Sequence, residues 1–153
     1  MNAAILTNEF PPEIYGGAGI HVKFLTQELS KLCHIEARCF GSQDVDEDNV
    51  RAIGFSRKLG LDPADDRFQK IFKPLDINLQ WAATLKDIDV IHCHTWYSHF
   101  GGVLASRLLQ CPLILTTHSL EPHRPWKAEQ LGDGGYAMSC WIERTAYEAA
   151  DGV

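Results

Sequence analysis

The stretch Ile88-Asp89-Val90-Ile91-His92-Cys93, followed at once by His94-Thr95-Trp96, decides the fold. Its apolar run predicts a buried strand, and the run Pro-Leu-Ile-Leu-Thr-Thr at 112–117 predicts another. Apolar side chains at helical spacing predict a helix between the two strands: Phe100, Val103, Leu104 and Leu108. Strands with unbroken apolar runs, alternating with helices, are typical of a parallel sheet covered on both faces.

The same alternation extends to both ends of the chain. Residues 3–7 and 35–39 predict strands, and 50–55 predicts a short one. Helical spacing links Ala18, Val22, Leu25, Leu29 and Leu32, and again Met138, Ile142, Thr145 and Ala149. A further helix is expected over about 75–85. The pattern predicts an α/β fold, a Rossmann-like doubly wound domain with a mainly parallel sheet.

The segment 42–73 is polar, and its acidic cluster is expected in an exposed loop: Asp44, Asp46, Glu47 and Asp48. At the other end, residues 149–153 leave a helix and are expected to begin a new strand. A chain that stops inside an element predicts a truncated protein, with 1–153 as one N-terminal domain.

Composition excludes several classes of protein. A length of 153 residues with 45% hydrophobic and 22% charged side chains suits one soluble domain. The net charge of -6 argues against nucleic-acid binding. Five cysteines without a C-x-x-C pair indicate a reducing compartment. No signal peptide and no apolar run of about 20 residues is present, so a cytoplasmic location is expected.

Gly16-Gly17-Ala18-Gly19 opens the first predicted helix. Glycines at a helix N-terminus admit a ligand close to free N–H groups, so Gly16 and Gly17 are candidate contacts for a diphosphate. A flexible turn with a helix cap is the alternative. Three features argue against a dinucleotide-binding dehydrogenase. The pattern is not G-x-G-x-x-G, and its glycines lie several residues past the strand. Glu36 lies near the start of the second strand, whereas a ribose-binding acid belongs at its far end.

His94 and His118 each end a predicted strand. If the two strands are neighbours, both imidazoles lie at one rim of the sheet, where they suit a polyhydroxylated ligand. His92 is expected to be a buried, hydrogen-bonded side chain. A metal site with His99 is disfavoured because zinc needs three or four convergent ligands and His92 with His94 supplies at most two.

Other polar and aromatic side chains follow the strand at 112–117. The E-x7-E spacing of Glu121 and Glu129 is interpreted as a coincidence. Glu143 and Arg144 are interpreted as surface charges, and the alternative is that one of them faces the cleft. Trp126 lies in a loop and is a candidate for stacking on a sugar, whereas Trp141 is expected in the buried stripe of the last helix. The candidate sugar-binding set is Trp96, Ser119, Glu121 and Trp126.

These residues resemble glycosyltransferase family 4 of the GT-B fold. The resemblance lies in 7–12 (Thr-Asn-Glu-Phe-Pro-Pro), 15–22 (Tyr-Gly-Gly-Ala-Gly-Ile-His-Val) and 89–96 (Asp-Val-Ile-His-Cys-His-Thr-Trp). The run 115–121 with 126–132, together with Gly134-Gly135-Tyr136, Ser139, Trp141 and 143–145, is similar to bacterial glycogen synthases of the actinobacterial type. The likeness covers nearly the whole chain.

The resemblance implies a retaining hexosyltransferase of glycogen biosynthesis that uses ADP-glucose or UDP-glucose as substrate, with no metal or other cofactor. The acceptor would be an α-1,4-glucan or glucose 1-phosphate, and a C-terminal domain absent from this chain would bind the donor nucleotide. Gly16 and Gly17 would meet the donor diphosphate, and His94 and His118 would carry the catalytic positioning. Starch-synthase relatives have a lysine two residues before the paired glycines, where this sequence has Ile14.

Two further expectations complete the sequence-based prediction. The 153-residue chain alone is predicted to transfer no sugar, because the donor pocket would be missing. The alternative to a glycosyltransferase half is a stand-alone Rossmann-like module that binds a phosphorylated sugar without catalysis. Neither hypothesis involves binding to nucleic acid or a membrane-spanning segment.

Overall fold

The computed structural model describes all residues from Met1 to Val153. Six strands form one sheet: β1 (Asn2–Leu6), β2 (His34–Phe40), β3 (Asp44–Glu47), β4 (Val50–Phe55), β5 (Val90–His94) and β6 (Leu113–Thr116). Their order is β3-β4-β2-β1-β5-β6, and every pair is parallel except β3 with β4. The predicted mainly parallel α/β sheet is confirmed.

Five α-helices and two short 3-10 turns connect the strands. The helices are α1 (Gly17–Leu29), α2 (Gln69–Thr84), α3 (Trp96–Leu109), α4 (Lys127–Leu131) and α5 (Asp133–Ala149), and the turns are Asp66–Phe68 and Glu121–His123. Gly152 adds an isolated parallel bridge to Ile114 of β6. No helix combines the length and the apolar character that crossing a bilayer requires.

Helices cover both faces of the sheet because the strands alternate their side chains between two cores. Ala4 and Leu6 of β1 join Trp81 of α2 and Ala105 of α3 in the larger cluster. Ala3 and Ile5 belong to the second cluster, with Val22 of α1 and Ile35 of β2. Helix α1 therefore packs on one face, and α2, α3 and α5 pack on the other.

The acidic segment expected as a loop forms the edge strand β3 instead. Asp48 and Asn49 both have positive φ, as a two-residue hairpin turn of type I′ requires, and this turn pairs β3 with β4. The side chains of β3 are exposed, and Arg51 of β4 lies 3.0 Å from an Asp44 carboxylate oxygen. Charged side chains on an edge strand discourage pairing with another chain.

Helix α5 buries a different stripe from the one predicted. Ile142 is buried as expected, but Trp141 is 50% exposed, and the neighbouring Glu143 is 2% exposed. The difference arises because successive helical residues point about 100° apart, so a stripe displaced by one or two positions exchanges a surface side chain for a core one. Glu143 is therefore not a surface charge.

Candidate functional site

A cleft of about 460 Å³ lies beyond the carboxyl ends of β1, β5 and β6. Strands β1 and β5 are neighbours, but the helices that follow them pack on opposite faces of the sheet. Such a topological switch point leaves a crevice in which doubly wound domains bind ligands. Six of the predicted site residues line this cleft: Gly16, Gly17, Trp96, His118, Ser119 and Glu121.

The glycine turn at the start of α1 already contacts an anionic side chain. The N–H groups of Tyr15 and Gly16 each donate to Glu9 Oε2 over 2.9 Å. A Cβ at Gly19 would come within 2.7 Å of the same oxygen, so only glycine allows this approach. The helix N-terminus binds a carboxylate within the chain, and a diphosphate at Gly16 would displace it or use the neighbouring Gly17 amide.

The two predicted histidines are in direct contact. His94 is fully buried at the end of β5, and its Nδ1 lies 3.1 Å from His118 Nε2. Strands β5 and β6 pair with His94 opposite Thr116, which brings the residues that follow β6 beside His94. The ring of His21, on α1, lies 5.2 Å from that of His118 and 5.5 Å from that of His94.

His94 and His118 are neutral at pH 7. Burial, reinforced by His92 and the other rings, lowers the pKa of His94 to about 2, and burial also lowers the pKa of His118. His94 Nε2 has no partner, and a buried lone pair is tolerated better than a buried N–H. We therefore assign the proton to His94 Nδ1, which then donates to His118 Nε2 and holds that ring in one tautomer.

His92 lies next to His94, with the two ring centroids 4.3 Å apart. Its Nε2 is 2.7 Å from Thr116 Oγ1, as the prediction of a hydrogen-bonded side chain requires. Burial lowers the pKa of His92 to about 4. No group of three or more side chains of metal-ligating type is arranged to hold a metal ion anywhere in the structure.

The structure separates the predicted sugar-binding residues. Trp96 borders the cleft but is 3% exposed, and its ring stacks on Tyr97 with centroids 4.3 Å apart. Ser119 is exposed and accepts a hydrogen bond of 3.1 Å from Arg124 Nη1. Trp126 is 55% exposed and does not line the cleft. Its predicted sugar contact therefore has no geometric support at this cleft.

Glu121 lies at the base of the cleft and contacts a second buried acid. Its Oε2 accepts from Ser139 Oγ over 3.2 Å, and its backbone N–H donates to Glu143 Oε2 over 2.7 Å. Both side chains are nearly inaccessible to water. Burial raises the pKa of Glu143 to about 7, and the negative charge of Glu121 acts in the same direction. A protonated Glu143 relieves the repulsion between the two carboxyl groups.

We expect stability to depend on pH through Glu143. Its pKa is higher in the folded protein than the ordinary 4.5, so the folded state binds the proton more tightly than the unfolded state does. The contribution of this proton to the free energy of unfolding is complete below about pH 4.5 and is lost as pH rises through about 7. Glu143→Gln keeps an acceptor without the charge. The difference in unfolding free energy, variant minus wild type, should increase by about 2–3 kcal/mol from pH 5 to pH 8, measured by urea denaturation.

Glu148→Gln is the matched control for this prediction. Glu148 lies on the same helix, has a side chain 63% exposed and pairs with Arg144 on the surface. Its unfolding free energy relative to the wild type should be the same at pH 5 and pH 8. Parallel pH profiles for wild type and Glu143→Gln would show that Glu143 is ionised in the folded protein.

Several lining side chains were not predicted from the sequence: Asn8, Glu9, Tyr97, Arg124 and Lys127. Glu9 lies three residues after the end of β1, at the carboxyl end of that strand, and this position is a usable signal. Arg124 and Lys127 stand in the segment after β6, and only the folded loop reveals that they line the cleft. His21 stands one helical turn beyond Gly17, on the helix that begins at the cleft.

The fold and the cleft define a class of protein, a doubly wound α/β domain with a ligand crevice at its switch point. This crevice combines a helix N-terminus, the neutral His118 ring and two cations, which are groups that suit sugars and phosphates. The sequence profile described as Glycosyltransferase Family 4 matches residues 15–153. The chain belongs to glycosyltransferase family 4, and the predicted family is confirmed.

Several relatives of known name are similar to this chain in sequence. An alpha-maltose-1-phosphate synthase of Mycolicibacterium smegmatis is 46% identical over 153 residues, and one of Mycobacterium tuberculosis is 42% identical. Each match covers the whole chain, which spans 37% of the length of these relatives. A glycogen synthase of Mycobacterium tuberculosis is 23% identical over 171 residues, covering 94% of this chain and 40% of its own. The narrower prediction of a glycogen synthase therefore has weaker support than the family.

Solved structures agree on the fold. A sucrose-phosphate synthase from Thermosynechococcus elongatus has a TM-score of 0.68 at 20% identity, over 98% of this chain and 41% of its own. The Anabaena protein HepE, solved with UDP and glucose, has a TM-score of 0.56 at 15% identity, over 100% of this chain and 44% of its own. Both cover this chain almost entirely with less than half of their own length.

Proposed function

We propose that this chain is the acceptor-side half of a retaining glucosyltransferase. The observation that carries the proposal is His118, which lines one cleft with the Gly16-Gly17 turn and is held 3.1 Å from the buried His94, a residue that does not itself line the cleft. The N-terminus of α1 suits the diphosphate of a nucleotide sugar, and a neutral imidazole suits sugar hydroxyl groups. Membership of glycosyltransferase family 4 supports the same reaction class.

We propose ADP-glucose or UDP-glucose as the donor and an α-1,4-glucan or glucose 1-phosphate as the acceptor. Glucose 1-phosphate is the favoured acceptor, because relatives at 46% and 42% identity are named as synthases of maltose 1-phosphate. Adding one glucose unit to glucose 1-phosphate yields that product. A glycogen synthase at 23% identity supports the longer glucan acceptor more weakly.

In the proposed step, the bond between the anomeric carbon of glucose and the donor phosphate oxygen breaks. The acceptor hydroxyl oxygen bonds to the same carbon on the same face, and its proton passes to the leaving nucleoside diphosphate. The Gly17 amide stabilises the developing phosphate charge, and His118 orients the transferred sugar. No residue of this chain needs to act as a base, which agrees with the low pKa of His94 and His118.

The donor-binding half is part of the proposal. The chain spans 37% of the length of its synthase relatives. We therefore expect the purified 153-residue chain to release no nucleoside diphosphate from ADP-glucose or UDP-glucose, while still binding a sugar phosphate. Turnover by this chain alone would contradict the assignment of the donor site to a second domain.

The decisive experiment is a matrix of substrates with the chain joined to its donor-binding half. ADP-glucose and UDP-glucose are each offered with glucose 1-phosphate and with glycogen, and disaccharide phosphate, glucan and released nucleotide are quantified. Transfer to glucose 1-phosphate is the expected result. Binding of glucose 1-phosphate without transfer from either donor would favour the stand-alone binding module instead.

A further inference from the structure

Lys127 is a cation without a partner at the wall of the cleft. The residue is 9% exposed and opens helix α4, yet no acceptor lies within hydrogen-bonding or ion-pair distance of its Nζ. Lysines are almost never this deeply buried unless they are paired. Burial lowers the pKa of Lys127, whereas Glu121 acts in the opposite direction. The site therefore holds a positive charge that an anion from outside would stabilise.

Arg124 adds a second cation to the same wall. Its side chain is 33% exposed, and Nη1 donates to Ser119 Oγ over 3.1 Å. The contact of Nη1 with Glu121 Oε1 is long, at 3.6 Å, and that carboxylate is already bonded to Ser139 through Oε2. Glu121 thus orients the guanidinium without saturating it. Arg124 retains N–H groups for a bidentate acceptor such as phosphate.

The two ends of the cleft differ in their chemistry. At the α1 end, anion-binding N–H groups of Tyr15 and Gly16 meet Glu9. At the β6 end stand the two cations, and strand β5 lies between β1 and β6 in the sheet. Because the donor diphosphate is assigned to the α1 end, an anion at the β6 end belongs to a different substrate group.

We propose that Arg124 and Lys127 form a subsite for the phosphate of a sugar-phosphate acceptor and select it over an uncharged sugar. The subsite rests on the proposed function, since it presupposes an acceptor opposite the donor diphosphate. Ser119 supports it by holding the Arg124 guanidinium. A neutral glucan end placed in the cleft would leave Lys127 without a counter-charge, so the geometry disfavours it.

Lys127→Met and Arg124→Gln test the subsite in the transferase. Lys127→Met keeps an apolar stem of similar length and removes the ammonium group. Each variant should raise the KM for glucose 1-phosphate about 10-fold or more, because a charged hydrogen bond is lost. The KM for the nucleotide sugar should change less than about 2-fold, and Lys127→Arg should recover most of the loss. Lys86→Met, at an exposed position before β5, is the matched control.

Direct binding separates the sources of phosphate. Titration calorimetry compares glucose 1-phosphate, glucose, inorganic phosphate and ADP on wild type and on both variants. Weaker binding of glucose 1-phosphate and inorganic phosphate, with ADP unchanged, supports the proposal. Weaker binding of ADP alone would assign the cations to the donor and overturn it. Thermal melting verifies folding, and Arg124→Gln, at a partly exposed position, remains informative if Lys127→Met unfolds.

The same titration separates the subsite from the enzyme assignment. Wild-type protein that binds glucose 1-phosphate through Lys127, but transfers no sugar, would retain the subsite and contradict the proposed function. Protein that transfers glucose to glucose 1-phosphate equally well in wild type and both variants would retain the function and overturn the subsite.

Discussion

Replacing His118 with alanine should lower the rate of sugar transfer about 100-fold or more while the protein stays folded. The ring lines the cleft, is half-buried and receives a hydrogen bond from His94 that fixes its tautomer. Removing one preoriented polar group that acts on the transition state costs about 10²–10³ in rate. The stability cost should be about 1–2 kcal/mol, because the His94 Nδ1–H then loses its acceptor.

The measurement is kcat in a coupled assay of nucleotide release, with the unfolding free energy determined on the same preparations. His34→Ala is the matched control, since His34 is exposed at the start of β2, at the amino ends of the parallel strands, whereas the cleft lies at their carboxyl ends. It should leave kcat unchanged. A His118→Ala variant with wild-type kcat would remove this ring from the reacting site and weaken the proposed function at its main support.

His118→Gln refines the role of the ring. Glutamine offers an N–H donor and a carbonyl acceptor without an imidazole, and so can keep the hydrogen bond from His94. If orientation of a sugar hydroxyl is the role, this variant should retain more activity than His118→Ala at every pH. If the imidazole accepted a proton in the reaction, both variants would be equally slow.

The sheet was predictable because its signal is local and repeated. Apolar runs such as 88–93 predict buried strands by themselves, and the alternation of these strands with helices is compatible with few topologies. The position of the cleft followed from the same rule, because Gly16 and His118 each stand after a strand. These inferences need only the chain order of the elements.

The chemistry inside the cleft was less predictable, because it depends on contacts between residues far apart in the chain. Glu143 pairs with the backbone of Glu121, 22 residues away, and its burial follows from the rotation of α5. Lys127 is notable only because its folded surroundings offer no acceptor. The sequence does not show which charged side chains are solvated, because their burial depends on packing between distant parts of the chain.

The larger core cluster gives the largest expected effect on stability. Trp81 of α2 is fully buried in the larger core cluster, with ring centroids 5.6 Å from Phe40 and 6.2 Å from Phe55. Trp81→Ala should lower the unfolding free energy by about 3–5 kcal/mol, measured by urea denaturation. Much of a small domain's total stability of about 5–15 kcal/mol would be lost.

The indole nitrogen of Trp81 refines this expectation. Its Nε1–H is buried and has no hydrogen-bond partner, so the native side chain already carries an unfavourable polar group. Trp81→Phe removes that group and keeps an aromatic ring, and should therefore cost much less than Trp81→Ala. Trp141→Ala, at a position 50% exposed on α5, should change stability by no more than about 0.5 kcal/mol. Equal losses for Trp81→Ala and Trp141→Ala would mean that α2 does not pack on the sheet through this ring.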